Sequence, residues 1–218
     1  MDVSLIYLFV LWGSFLTRNL TCSASTMSFL TERRRVFNVD GLRRLAAESV
    51  DRSSDDIVDL KKLAEGGFNR TFLITMRCGF QMVARIPYTF TTPKYFDVAS
   101  ELATMAFLRS SGLPIPEVYG YSPSPDNAAE IDYIFMGFVE GIQLNDIWFD
   151  LEEQDIASIT RKFSELKSKM MSISFPAGGS LYYPRDLENE VGRPGIPLED
   201  DSPFCVGPDT SQPLWYGR

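Results

Sequence analysis

Three stretches of this chain hold groups that can do chemistry together. Glu65-Gly66-Gly67-Phe68-Asn69-Arg70 is a glycine-containing turn between strand-like runs. Gly66 and Gly67 carry no Cβ, so backbone N–H groups there can approach the oxygens of an anion closely. Val83-Ala84-Arg85-Ile86 places a guanidinium on the third strand-like run. Such a fork binds phosphate or carboxylate through two parallel N–H bonds. Glu101 follows on a helical stretch in the series Asp97, Glu101, Met105, Leu108, which shares one helix face. If that face turns to the sheet, it delivers one carboxylate to Arg85. Met136-Gly137-Phe138-Val139-Glu140-Gly141 closes the last strand. Main-chain groups at Gly137 and Val139 can hydrogen-bond the edge of an adenine there, with Met136 behind the base. The plain alternatives are an ordinary hairpin turn, a solvated Arg85 beside a surface Glu101, and a buried strand ending in a glycine turn.

Other chemistries are excluded by one count: the 218 residues include no histidine. Ser-His-Asp and Cys-His sites, HExxH zinc and a His general base cannot be built. Catalysis would need carboxylates, Lys, Arg, backbone amides or a borrowed metal. Lys plus Arg total 21 against 29 Asp plus Glu, a net charge of −8, so no nucleic-acid partner is expected. The three cysteines, Cys22, Cys78 and Cys205, are far apart. Zinc sites use close pairs and disulfide scaffolds use even counts, so free thiols are expected.

The elements that must position these groups follow from periodicity. Asp40 is expected to cap a helix bearing Leu42, Leu45, Ala46 and Val50. Strands are predicted at 57–63, 71–76 and 81–86, joined by the glycine turn and by Arg77-Cys78-Gly79 as an antiparallel meander. A helix over about 95–111 has Val98, Leu102, Met105 and Ala106 on one side and stops at Gly112, ahead of Pro114 and Pro116. Strands follow at 118–121 and 131–139. From Leu151 the series Ile156, Ile159, Phe163, Leu166, Met170, Ile173 predicts a second long helix. Nothing in the proline- and glycine-rich stretch beyond it reads as a packed element.

The N-terminus has two readings. Val3–Leu16 is an apolar run, shorter than the roughly 20 residues of a membrane span but suited to a signal-peptide core. Small residues follow at Cys22-Ser23-Ala24-Ser25, yet the only charge before the run is Asp2. A mitochondrial presequence would be richer in Arg than the single Arg18 ahead of Arg33-Arg34-Arg35. Asn19-Leu20-Thr21 and Asn69-Arg70-Thr71 are glycosylation sequons, and a glycan on the second would fall in the turn. Residues 1–26 are therefore a targeting segment or an upstream extension before Met27, and no stable membrane span is expected.

From about Glu32 to Leu187 the chain resembles the fungal branch of the aminoglycoside phosphotransferase family, which has a protein-kinase-like fold. Within it, the chain is similar to the mitochondrial "altered inheritance of mitochondria" phosphotransferase-like proteins. The stretches that carry this are FNVDGLRRLAAESV, KKLAEGGFNRTFLITM, GFQMVARIPY, SELATMAFLRSSGLPIPEVYGYS, YIFMGFVEGIQLNDIW and GGSLYYPRDL. The resemblance implies an α+β fold. Residues 27–140 would be a kinase-like N-terminal lobe, an antiparallel sheet plus a helix, and 141–218 a hinge and an incomplete helical C-terminal lobe. It implies ATP as cofactor, with phosphate-loop roles for Gly66, Gly67, Phe68 and Asn69, an Arg85–Glu101 ion pair, and a hinge at Met136, Gly137 and Val139. Arg85 stands where kinases place a Lys, and the turn departs from the GxGxxG spacing.

The same resemblance implies a His-x-Asp-x-x-x-x-Asn loop and a later metal-binding Asp. No Asn here has an Asp five residues before it, and no Asp-x-Gly occurs. The segment PFCVGPDTSQPLWYGR would precede that loop, so a chain truncated ahead of its catalytic half is expected, with no catalytic or metal residues of its own and Mg²⁺ only in a full-length enzyme. A non-catalytic, pseudokinase-like interaction module is the second expectation. Ile142, Leu144, Ile147, Trp148 and the helix from Leu151 would then expose apolar surface, with marginal stability and a chaperone or homotypic contact. The resemblance implies a mitochondrial location; the cytoplasm, or secretion led by residues 1–26, are the alternatives.

Overall fold

In the computed structural model, residues 36–66, 69–88, 94–142 and 144–210 are described. The Val3–Leu16 run, the first sequon, Cys22, Gly67 and Phe68 lie outside them. The fold is α+β, built on a five-stranded antiparallel sheet. Its strands are β1 (Ile57–Glu65), β2 (Asn69–Met76), β3 (Gln81–Pro87), β4 (Val118–Ser122) and β5 (Tyr133–Gly137), in the order β1-β2-β3-β5-β4. Alternation along each strand sends its side chains to opposite faces. Met82, Ala84 and Ile86 join Ile74, Met76 and Phe135 beneath helix α1 (Val39–Glu48). Val83 joins Leu73, Ile134, Met136 and Val98 beneath helix α2 (Lys94–Ser110). A strand covered on both faces is apolar throughout. Among the buried residues of β3 the exception is Arg85.

The cap of α1 is Asn38, not Asp40. The Asn38 carboxamide oxygen accepts the Gly41 N–H at 2.9 Å, and Asp40 sits in the first turn, where its charge suits the helix dipole. Gly41 is required by proximity: a Cβ there would lie 1.8 Å from the Ala128 carbonyl oxygen. Helix α2 ends as expected, at Gly112 with φ +72°.

The larger correction concerns the stretch after Ile173. A second antiparallel sheet forms from β6 (Ser180–Tyr182), β7 (Ile196–Pro197) and β8 (Cys205–Gly207), ordered β6-β8-β7. With it goes the short helix α5 (Pro184–Val191). These pieces pack on the side of α2 turned away from the large sheet. Ala99 lies with Tyr182, Leu187 and Cys205, and Ala103 lies with Leu181, Phe204 and Val206. Helix α2 is thus held between two sheets, which is why small residues occupy its outer face.

One buried carboxylate joins α5 to the large sheet. Asp186 accepts the Tyr121 hydroxyl at 2.9 and 3.2 Å, and its main-chain oxygen accepts the Tyr95 hydroxyl at 3.1 Å. Arg185 Nη2 donates to the Tyr121 oxygen at 2.7 Å. Burial, opposed in part by the Arg185 bond, pushes the Tyr121 phenol up to about 12. Burial raises Tyr182, Tyr95 and Tyr183 as well.

Between the two sheets in sequence lie a single helical turn, α3 (Leu144–Ile147), and the long helix α4 (Glu153–Met171). Only Ile159 of α4 is buried; its remaining apolar stripe is half-exposed. Lys169 Nζ donates to the Gly112 carbonyl at 3.0 Å and anchors α4 beside the end of α2. Apolar surface is exposed at Ile142, Trp148, Phe149 and Phe175, while Leu144 and Ile147 are half-buried. Among the described residues no helix is long and apolar enough to cross a membrane. Cys78 is exposed and Cys205 buried, and both are free thiols.

Two outcomes follow. Gly41→Ala should lower stability by about 2–3 kcal/mol, read from the urea midpoint, because the added Cβ overlaps the Ala128 carbonyl. A loss below about 0.5 kcal/mol would show that the 127–130 loop yields freely. The raised phenols bind protons in the folded state that the unfolded chain releases. Stability should therefore hold below pH 10.0 and fall as pH climbs towards about 12. Tyrosinate absorbance of the folded protein should lag that of the urea-unfolded chain over the same range.

Candidate functional site

The site is built around a cation that the fold takes out of water. Arg85 is 8% exposed, on the α2-facing side of β3. An unpaired guanidinium in that position would be strongly destabilising. Its partners come from two other elements. Glu101, on α2, forms an ion pair through Oε1 with Arg85 Nη1, as the resemblance implies. Asn69, the first residue of β2, is 2% exposed. With its carboxamide oxygen turned inward, it accepts Arg85 Nη2 at 2.9 Å and Nε at 3.0 Å.

Asp97 adds a second carboxylate one helical turn before Glu101. Burial pulls Arg85 down to about 10, and Asp97 opposes that shift. Burial likewise raises Asp97, which Arg85 holds back. Arg85 therefore remains a cation at neutral pH.

The glycine turn sits at the β1–β2 end of this network. Gly66 donates its N–H to the Asn69 main-chain oxygen at 3.0 Å. Ahead of it, Glu65 accepts the hydroxyl of the buried Tyr88 at 2.5 Å and Lys62 Nζ at 2.7 Å. Arg70, just after the turn, stacks its guanidinium 5.7 Å from the Phe37 ring and 5.8 Å from the Tyr88 ring. Glu65 and Arg70, on either side of residues 67–68, are thus both tied to the rest of the fold.

At the far end of the same sheet face, Met136 is fully buried and lies opposite Val83 in the β3–β5 ladder. Gly137 ends β5, and its N–H donates to the Glu117 carbonyl at 2.8 Å. Val139 lies just beyond, half-buried. The structure thus gathers Gly66, Asn69, Arg85 and Glu101 at one end of the sheet and places Met136, Gly137 and Val139 at the exit of β5.

Two contributors were not singled out from the sequence. One is the inward aim of the Asn69 side chain. Its signal was strand parity, since Asn69 shares a face with Leu73 at i+4. The other is the action of Asp97 on Arg85, since the sequence places Asp97 on the face of Glu101 one turn earlier but assigns a single carboxylate to Arg85. A separate groove of about 610 Å³ opens between α2, β4 and the start of α5, lined in part by Met105, Arg109, Tyr119, Tyr121 and Arg185. Among the described residues no group of three or more His, Cys, Asp or Glu could hold a metal ion.

Glu101→Leu should lose about 3 kcal/mol, the low end for a broken buried pair, because the Glu101 side chain keeps 28% exposure. The double variant Arg85→Met, Glu101→Leu should regain most of that loss in the same denaturation experiment. If the double variant is as unstable as the single one, the stranded cation is not the cause.

Comparison with known proteins finds fungal relatives. A subtelomeric hrmA-associated cluster protein of Aspergillus fumigatus is 39% identical over 161 residues, covering 73% of this chain and 31% of the relative. Altered inheritance of mitochondria protein 9, mitochondrial, of Lodderomyces elongisporus is 28% identical over 177 residues, covering 74% of this chain and 28% of the relative. The protein of that name in Meyerozyma guilliermondii is 26% identical over 214 residues, covering 82% and 34%. The chain spans about a third of the length of these curated relatives. No protein-family model matches it. No solved structure matches it either. The relatives named altered inheritance of mitochondria protein 9 carry a mitochondrial designation, which supports a mitochondrial location for this chain.

Proposed function

We propose that these residues form the nucleotide-facing part of a phosphotransferase of the aminoglycoside-phosphotransferase kind, with a kinase-like N-terminal lobe that binds ATP. The observation that carries this is the buried Arg85 guanidinium, held by Glu101 and Asn69 at the end of the sheet where the glycine turn lies. A fixed cation on this strand beside a glycine turn suits the α- and β-phosphates of a nucleotide. The cation's pKa of about 10 leaves it charged for that task at neutral pH.

At the other end of the face, the fully buried Met136 lies behind the place proposed for the adenine. The Gly137 N–H is already given to Glu117. The base edge is therefore assigned to the Gly137 carbonyl and the Val139 main chain. Phosphoryl transfer needs more than this: a group that orients the acceptor, and oxygen ligands for Mg²⁺. The described residues offer no such cluster, and the sequence contains no histidine. The role proposed for these residues is binding and orienting the nucleotide, with transfer left to groups they do not supply.

One observation favours a second reading, a non-catalytic interaction module. Ile142, Phe149, Met171 and Phe175 are 48–93% exposed, all within the segment flanking and containing α4. An apolar surface of this kind suits a protein contact, with a chaperone or a second copy of the chain as its occupant.

Calorimetry of the purified chain with ATP, with and without Mg²⁺, separates the two. Measurable binding should fall about 10- to 100-fold in Arg85→Ala, as expected for loss of a charge-assisted pair. Arg85→Lys, which keeps the charge but loses the fork, should fall between. Binding that is absent, or that Arg85→Ala leaves untouched in a folded protein, removes the nucleotide role and leaves the interaction module. Phosphoryl transfer by the isolated chain would overturn the division of labour given above.

A further inference from the structure

Asn69 makes two bonds that belong to different parts of the site. Its main-chain oxygen accepts the Gly66 N–H at 3.0 Å and so closes the glycine turn. Its carboxamide oxygen accepts both Nη2 and Nε of Arg85, at 2.9 and 3.0 Å. At 2% exposure its side chain is directed into the protein, not towards the opening of the turn.

These bonds are not equivalent to the one from Glu101. A contact through Nη1 does not by itself fix the plane of a guanidinium on its long side chain. Two N–H groups on the Nε–Nη2 edge, both aimed at one oxygen, fix the plane of the fork. With that edge taken by Asn69 and the buried Nη1 held by Glu101, the guanidinium is gripped from two sides.

We propose that Asn69 is a positioning residue. It locks the plane of the Arg85 guanidinium and ties that orientation to the Gly66 main chain, and it is not itself a phosphate ligand. The purpose of the lock rests on the nucleotide role proposed above; its existence does not.

Nitrogen–proton NMR of arginine side chains in the whole chain tests the lock without any ligand. The Arg85 Nε–H should exchange with water at least tenfold more slowly than that of Arg109, whose side chain is 50% exposed. Asn69→Ala should abolish this protection, whereas Asn69→Asp, which keeps an acceptor oxygen, should preserve it. Fast exchange of Arg85 Nε–H in the unmodified chain overturns the proposal, whether or not Asn69→Ala folds.

ATP titration supplies the second readout. Asn69→Ala should weaken binding about tenfold in the native background and much less in Arg85→Lys, which has no Nε–H edge to lock. If Asn69→Ala weakens ATP equally in both backgrounds while Arg85 Nε–H stays protected, Asn69 acts on the ligand and the lock is wrong. If the unmodified chain binds no ATP yet the protection pattern holds, the lock stands and the nucleotide role fails.

Discussion

A guanidinium at 8% exposure on the central strand of an apolar sheet constrains everything around it. Removing a cation from water is tolerable only when its donors are met by well-placed acceptors. Arg85 obtains one acceptor from β2 and another from α2, so both elements must approach β3 at a fixed register and angle. In the β2–β3 ladder Asn69 lies opposite Pro87 and Thr71 opposite Arg85. A slip of one residue would turn Asn69 to the α1 face and strand the cation. The polar network therefore specifies a pairing that the surrounding Val, Leu and Ile contacts alone would hold less strictly.

Helix α2 transmits that constraint to the rest of the chain. Its inner side meets the large sheet through Val98 and presents Glu101 to Arg85. Its outer side meets the small sheet through Ala99 and Ala103, with Phe96 edge-on to Tyr182 at 6.0 Å and Phe107 edge-on to Phe204 at 5.5 Å. A helix packed on both sides has little freedom to rotate Glu101 away from its partner. The Tyr121–Asp186 bonds fasten the small sheet's helix to strand β4, closing a loop of contacts from β3 through α2 and α5 back to the large sheet. By contrast, α4 buries only Ile159 and is tied mainly by its end. Local opening should begin there.

Much of this was legible in the sequence because it rests on periodicity. The alternation in QMVARI, the helical spacing from Val98 to Leu108 and the glycine turn each point to their own element. Arg85 was conspicuous as the one charge in a buried strand, and Glu101 as a carboxylate on the inner helix face. The small sheet was not legible, because strands of two or three residues between prolines and glycines carry no measurable period. The cap moved from Asp40 to Asn38 because both residue types suit an N-cap and only the approach of Ala128 to Gly41 decides the helix start. Asn69 reads as part of a loop because two glycines stand two and three residues before it. Its burial depends on β2 starting at that residue, a boundary that local sequence fixes poorly.

The central claim is that the face carrying Asn69, Arg85 and Met136 receives a nucleotide, with its phosphates at the glycine turn and its base at the exit of β5. Amide hydrogen exchange with and without a saturating non-hydrolysable ATP analogue tests it most directly, because it reports where on the chain the ligand sits. Slower exchange should appear at residues 66–70 and 137–139, with the small sheet at residues 180–182 and 196–207 unchanged. Exchange unaltered at both of the first two stretches, or protection confined to the small sheet, would contradict the claim.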